Sequence, residues 1–413
     1  MAYLDRQRAS KLMSQACIDG LILFSPESFF YATGVSPGVA VMWRQTGAVA
    51  VFVPADPNIP ETAVVSDLFA QNFKNVSHIK DVRESPIWVE STNLDPFNPD
   101  QDATEIIKSA WQKEERVKGF SRPATFDPVV CFQHLADAIS ECGLDEAKIG
   151  FEASAVSIKE FPALKSTLVN IDLIDASDVL ARLKMVKSDA EIKNLRKAVQ
   201  IAESGLVAVQ DAIAPSITRD ELATEWTEAI NRHPDHAALT GAWEYISVGR
   251  DPWAGNTSAE MGDIIKADVG CLVNGYTSDS ARTYVLGAPN ELQVRIYQAL
   301  LGGFIAGSEM LKSGVPLAEV HRVTQDAIRS AGFSDYTRGH FGHGLGAGLG
   351  SEEWPFISAD ATVVFEPGMV IAFECPWYIT GLGGFIIENQ VLITEDGHEM
   401  MNSLPLDLIQ IAI

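Results

Sequence analysis

The sequence has little that would tie it to an oxidising compartment, a polyanion or a lipid bilayer. It contains five cysteines, Cys17, Cys131, Cys142, Cys271 and Cys375, an odd number with no CxxC pair. That pattern excludes an all-paired disulfide framework and predicts free thiols in a reducing compartment. Cations are scarce: 31 Lys and Arg stand against 55 Asp and Glu, a formal net charge of -24. The Lys and Arg are scattered, and a surface of that sign repels phosphate backbones, so no nucleic-acid partner is expected. Neutral, zwitterionic or cationic small molecules suit it better. No apolar stretch reaches the roughly 18 residues of a membrane span, and "MAYLDRQRAS" has no apolar leader segment. The expectation is a soluble, cytoplasmic protein with no membrane partner. Repeats and low-complexity tracts are also missing.

What the chain does have is core-forming material. Hydrophobic residues make up 46% of 413 residues, too many for disorder and too long a chain for one ordinary core. Two domains are expected, 1–175 and 176–413. In the first, "LILF", "GAVAVFVPAD", "KIGFE" and "LVNIDLID" read as strands and "RQRASKLMSQACIDG", "ATEIIKSAWQKEERV" and "CFQHLADAISECG" as helices. Strands alternating with helices predict an α/β domain with a mostly parallel sheet. In the second, Ser188 followed by Glu191 predicts a capping box opening a long amphipathic helix. "TRDELATEWTEAINRH", "NELQVRIYQALLGGFIAGSEMLKSG" and "PLAEVHRVTQDAIRSAG" read as further helices. "YISVG", "DIIKADVGCL", "ARTYVLG", "RGHFGHG", "MVIAFECPWYI" and "GFIIENQVLIT" read as strands, which together predict an α+β domain.

Several of those strands carry acids where apolar residues belong. Asp268 lies inside "IIKADVGCLV", and Asp279 follows eleven residues later across a Gly-Tyr turn. Glu374 closes "MVIAFE", Glu388 sits in "GGFIIENQVLI", and His343 follows "HFG". A carboxylate in an apolar strand is costly to bury unless paired or metal-bound. Four carboxylates and one imidazole suit hard or borderline divalent cations. Two such ions roughly 3.5–4 Å apart can activate a water and polarise a carbonyl. His340, three residues before His343 on the same strand, is expected on the opposite face.

The order Asp, Asp, His in "GHG", Glu after "EPGMV" and Glu in a final "GG-x-x-IE" strand resembles the M24 metallopeptidase family. "RLKMVKSDAEIKNLRKA" and "FEPGMVIAFE" are similar to its motifs, and "GLILFSPESFFYATG" resembles a creatinase-type N-terminal domain. The resemblance covers the whole chain. It implies an α/β creatinase-type N-terminal domain plus an α+β pita-bread catalytic domain. It implies two divalent metal ions, manganese first, with iron, cobalt or zinc possible. Asp279 and Glu388 would bridge them, Asp268 would hold one, and His343 and Glu374 the other. It also implies a homodimer acting on a short peptide or small molecule, with Xaa-Pro dipeptidase-like hydrolysis as the leading expectation.

The match departs from the family at three places. Asn256 stands where a histidine is expected after Gly249, and its amide can donate a hydrogen bond but not titrate. Gly350 and Ser351 stand where a second histidine follows "GHG", and Ile386 stands where proline-cleaving members carry Arg. These losses keep open a relative that acts on a small zwitterion, a C–N hydrolase or a lyase such as the dimethylsulfoniopropionate lyase of this fold. That lyase has a segment like "EEWP", which makes Glu352 or Glu353 a candidate base, but its additional Asp ligand is replaced here by Lys266. Trp253, Trp354, Trp377 and Tyr378 lie beside the motifs and are candidates for walls of a substrate pocket.

Overall fold

A computed structural model describes residues 3–95, 97–114, 116, 118–348 and 352–412. Two compact units divide the chain, Met1–Leu183 and Lys184–Ile413. The first holds a six-stranded sheet of β1 (Gly20–Leu23), β2 (Ala50–Pro54), β3 (Thr62–Ser66), β4 (Asp81–Ser85), β5 (Lys148–Phe151) and β6 (Asp172–Asp175). Their order is β4-β3-β2-β1-β5-β6. Pairs β1–β5, β5–β6 and β3–β4 are parallel, and β1–β2 and β2–β3 antiparallel. The sheet is therefore mixed, because β2 and β3 form a hairpin that the strand–helix alternation does not announce. Leu21, Leu23, Val51 and Val53 face one hydrophobic cluster, and Ile22, Phe24, Ala50 and Phe52 the other. Period-two alternation between two apolar faces explains why these strands read as unbroken apolar runs. The helix Ser177–Met185 belongs to this core through Val179, Leu180 and Leu183.

In the second unit the capping box at Ser188 is present and opens the helix Asp189–Ala212. Thr218 and Asn290 open Arg219–Arg232 and Glu291–Ser308 in the same way, and Leu317–Ser330 completes the helices that carry the core. Its strands are β7 (Leu239–Glu244), β8 (Ser247–Val248), β9 (Ile264–Val273), β10 (Tyr276–Thr277), β11 (Ser280–Leu286), β12 (His340–Gly344), β13 (Glu353–Ser358), β14 (Val370–Glu374), β15 (Trp377–Ile379), β16 (Gly383–Phe385), β17 (Glu388–Ile393), β18 (His398–Met400) and β19 (Ile409–Ile411). The main sheet runs β10-β9-β11-β17-β14-β12-β13, and β15 and β16 pair separately. The apolar runs expected as single strands are thus each cut in two. Pro376, between β14 and β15, cannot donate to a ladder.

Strand β9 shows how the sheet separates core from site. Ile265, Ala267, Val269, Cys271 and Val273 pack with residues of the Asp189–Ala212 and Arg219–Arg232 helices. The alternate residues Lys266 and Asp268 must then project from the other face. Strands β11 and β17 share a single register pair, Ala281 with Glu388. The fully buried Arg282 reinforces that thin junction, donating to the carbonyls of Ala281 at 2.7 Å, Glu388 at 2.8 Å and Leu404 at 2.8 Å.

Gly342 on β12 has φ +146, and a Cβ there would lie 2.2 Å from the Ala372 carbonyl oxygen. That neighbour is backbone and cannot swing aside. Gly342→Ala is expected to lower unfolding free energy by about 2–3 kcal/mol or more. Urea unfolding measures it; an unchanged midpoint would show that β12 and β14 tolerate separation.

Candidate metal centre

Strand register builds the centre. Asp268 on β9 lies opposite Ala281 on β11, Ala281 opposite Glu388 on β17, and Glu388 opposite Glu374 on β14. Opposite residues of an antiparallel pair share a face, so this is one row across four strands. His343 on β12 pairs with Ala372, two residues before Glu374, and joins the same face. Asp279 stands two residues before Ala281. The methyl of Ala281 leaves open the space between the carboxylates on either side.

Ligand atoms of Asp279, His343 and Glu388 all lie within 4.8 Å of one another, and all three residues are buried. His343 Nε2 is 3.6 Å from Asp279 Oδ2. Its Nδ1 is 3.1 Å from the Gly344 carbonyl oxygen. A carbonyl only accepts, so Nδ1 carries a proton, and in the neutral ring that serves as a metal ligand the Nε2 lone pair faces the carboxylate. Two electron-rich groups facing each other call for a cation between them. Burial, and then the neighbouring Asp279, Glu374 and Asp268, push the Glu388 carboxyl well above the ordinary range. A divalent ion would turn that mutual repulsion into attraction, so the donor set fits a metal.

The two outer carboxylates already have partners. Lys266 Nζ lies 3.1 Å from Asp268 Oδ2, with both side chains mostly buried, and 5.4 Å from the Tyr378 ring centroid. At an effective dielectric near 20 that attraction is about 5 kcal/mol before desolvation is subtracted. Burial dominates at Asp268 and raises its pKa despite Lys266. Arg338 donates to Glu374 Oε1 at 2.6 Å. His340 Nδ1 stands 3.6 Å from the same oxygen and has no hydrogen-bond partner among the described residues. Burial pushes its pKa down, against the opposing pull of Glu374.

His340 corrects the expectation from alternation. The β12–β13 register shifts between His340 and His343, and such an irregularity breaks the period of two. Asn256 is a second correction. It is exposed, and its Oδ1 accepts from the Asp220 backbone N–H at 3.0 Å, at the start of the Arg219–Arg232 helix. It caps that helix instead of lining the cleft. Glu353 opens β13 with its carboxylate 3.4 Å from Lys187 Nζ, so it is spent in an ion pair. Glu352 is exposed, close enough for its charge to act on His340. Trp354 packs against the apolar core. Ile386 is buried. Gly350 and Ser351 lie outside the described residues. Sequence reasoning places Lys266 only as the replacement of an Asp ligand and does not reach Arg338; the readable signal for Lys266 is a cation two residues from Asp268 in an otherwise apolar strand.

The family profile "Metallopeptidase family M24" matches residues 193–395, and "Creatinase/Prolidase N-terminal domain" matches 6–127 and 100–186. The Xaa-Pro dipeptidase of Pyrococcus furiosus is 32% identical over 289 residues, 68% of this chain and 81% of that one. The chain belongs to the metallopeptidase family M24. Solved structures agree on the two-domain fold. A Bacillus anthracis Xaa-Pro dipeptidase aligns with TM-score 0.75 at 22% identity, over 98% of this chain and 99% of that one. Dipeptidase PepE from Mycobacterium ulcerans aligns at 0.74 and 26%, over 98% and 96%.

In this M24 enzyme the approach to the centre is walled by aromatics. A cleft of about 510 Å³ is lined by Tyr245, Trp253, Tyr378, Arg219, Lys266 and Asp268 among others. Trp253 is 70% exposed and its ring lies 4.9 Å from that of Tyr378. Both also line an adjoining cavity of about 700 Å³ with Trp377 and Arg338. No described helix is long and apolar enough to cross a membrane.

Chelator-treated protein is expected to gain stability on adding Mn²⁺, by about 3 kcal/mol at a hundredfold excess over Kd. Asp279→Asn and Glu388→Gln should lose that gain, while their metal-free forms melt no lower than metal-free wild type, since each removes one repelling charge. Thermal melts with and without Mn²⁺ decide it; an undiminished shift in both variants would place the metal elsewhere.

Proposed function

We propose that this enzyme is a metal-dependent hydrolase of dipeptides or short peptide-like amides, with Xaa-Pro dipeptides the first substrates to test. The observation that carries this reading is the convergence of Asp279, His343 and Glu388 on the face shared with Asp268 and Glu374. Manganese is the preferred ion because oxygen donors outnumber the single imidazole nitrogen, and iron, cobalt and zinc suit the set next. When bound, a divalent ion supplies Lewis acidity and an activated water.

The chain's own residues do the rest. Gly344 fixes the His343 ring through its carbonyl. Ala281 keeps the floor of the centre low. Trp253 and Tyr378 offer stacking surfaces to an apolar or cyclic side chain, and the cleft volume suits a dipeptide-sized ligand. The relative from Pyrococcus furiosus named as an Xaa-Pro dipeptidase supports the same substrate class.

A second reading, action on a small zwitterion, is favoured by one feature: Lys266 and Asp268 present opposite charges side by side on an aromatic-walled cleft. Charged ends of such a compound would find partners there.

Mn²⁺-loaded protein is expected to release free amino acids from at least one member of an Xaa-Pro and Xaa-Xaa dipeptide panel. Asp279→Asn should reduce kcat/KM by at least about a hundredfold. Amino-acid analysis reads the products. No hydrolysis across the panel, with turnover of a zwitterionic compound instead, would replace the first reading by the second.

A further inference from the structure

We propose that this chain holds one metal ion tightly, at Asp279, His343 and Glu388, and that the Lys266 ammonium occupies the side of Asp268 where a second cation would bind. The inference rests on the reading of the cluster as a metal centre and departs from the two-ion expectation.

Charge and geometry carry it together. The donor atoms within 4.8 Å of one another are those of Asp279, His343 and Glu388, and Asp268 and Glu374 fall outside that group. Each of the two outer carboxylates is instead matched to a fixed cation, Lys266 on Asp268 and Arg338 on Glu374. Four carboxylates against two such cations leave two negative charges, which one divalent ion balances. A second ion would leave the cluster with surplus positive charge in a mostly buried site, where charge imbalance is most costly.

Lys266 is not a surface lysine that can swing into water. Its side chain is 7% exposed, its backbone is fixed in β9, and its Nζ sits over the Tyr378 ring. The spacing makes the contact local: residues i and i+2 of a strand share a face, so position 266 delivers its side chain beside the carboxylate at 268. Arg338 is likewise held, donating to the His340 carbonyl at 2.6 Å as well as to Glu374.

The test is metal stoichiometry, with no dependence on activity. Wild type, Lys266→Met and Lys266→Arg are saturated with Mn²⁺, passed through a desalting column and measured by elemental analysis and by electron paramagnetic resonance. Wild type should retain one Mn²⁺ per chain with the spectrum of an isolated ion. Lys266→Met should retain two, with the broadened signal of a coupled pair, and Lys266→Arg should retain one. Two tightly held ions in wild type would overturn this proposal and leave the hydrolase reading standing. No retained ion would overturn both. One ion in folded Lys266→Met would overturn the role of Lys266, and if that variant does not fold, wild type and Lys266→Arg still decide the count.

Discussion

Mutual repulsion among buried carboxylates is the constraint around which the second unit is built. Asp268, Glu388 and Glu374 share one row of a sheet, and Asp279 enters beside them. Apolar side chains there would be easier to fold. The price of the row is met on the opposite face, where Ile265, Ala267, Val269 and Cys271 of β9 anchor the strand in a packed core. Arg282 serves the same end at the weak β11–β17 junction, tying together the carbonyls of the two row residues that meet there. The centre is held by a backbone anchored in that packed core and at that junction.

The glycine-rich segment around His343 is part of that backbone. Gly342 allows β12 to approach β14 more closely than any side chain would permit. Gly344 is similarly crowded, with the backbone carbonyl oxygen of Trp354 2.9 Å from where a Cβ would stand. The glycines therefore serve close packing between strands, and the irregular register they accompany brings His340 round to Glu374.

Departures from the family's pattern have separate physical meanings. Asn256 has become a helix cap and Glu353 half of an ion pair with a buried lysine. Neither stands ready to handle a proton at the centre. In their place the cleft presents Lys266, Tyr378 and Trp253, a cation and two rings within reach of Asp268. Family membership and the site's particular chemistry are thus distinct questions.

Much of the centre was legible without coordinates. Acids inside apolar strands stand out because burial penalises them, and their order and spacing identified the family. Helix starts were legible too, since a capping box at Ser188 depends on residues three apart. Less was legible where strands or partners come from far along the chain. The β2–β3 hairpin, the break of two apolar runs into β14, β15, β16 and β17, and the engagement of Asn256 by a helix start and of Glu353 by Lys187 were not. Residue types and their local spacing determined which groups could bind a metal and which family the chain joins. Tertiary structure alone decided which of them face one another, and above all that Lys266 and Arg338 already neutralise two of the four carboxylates. Those pairings follow from sheet register, a bulge and long-range contacts, whose energies depend on neighbours that no local stretch of sequence contains.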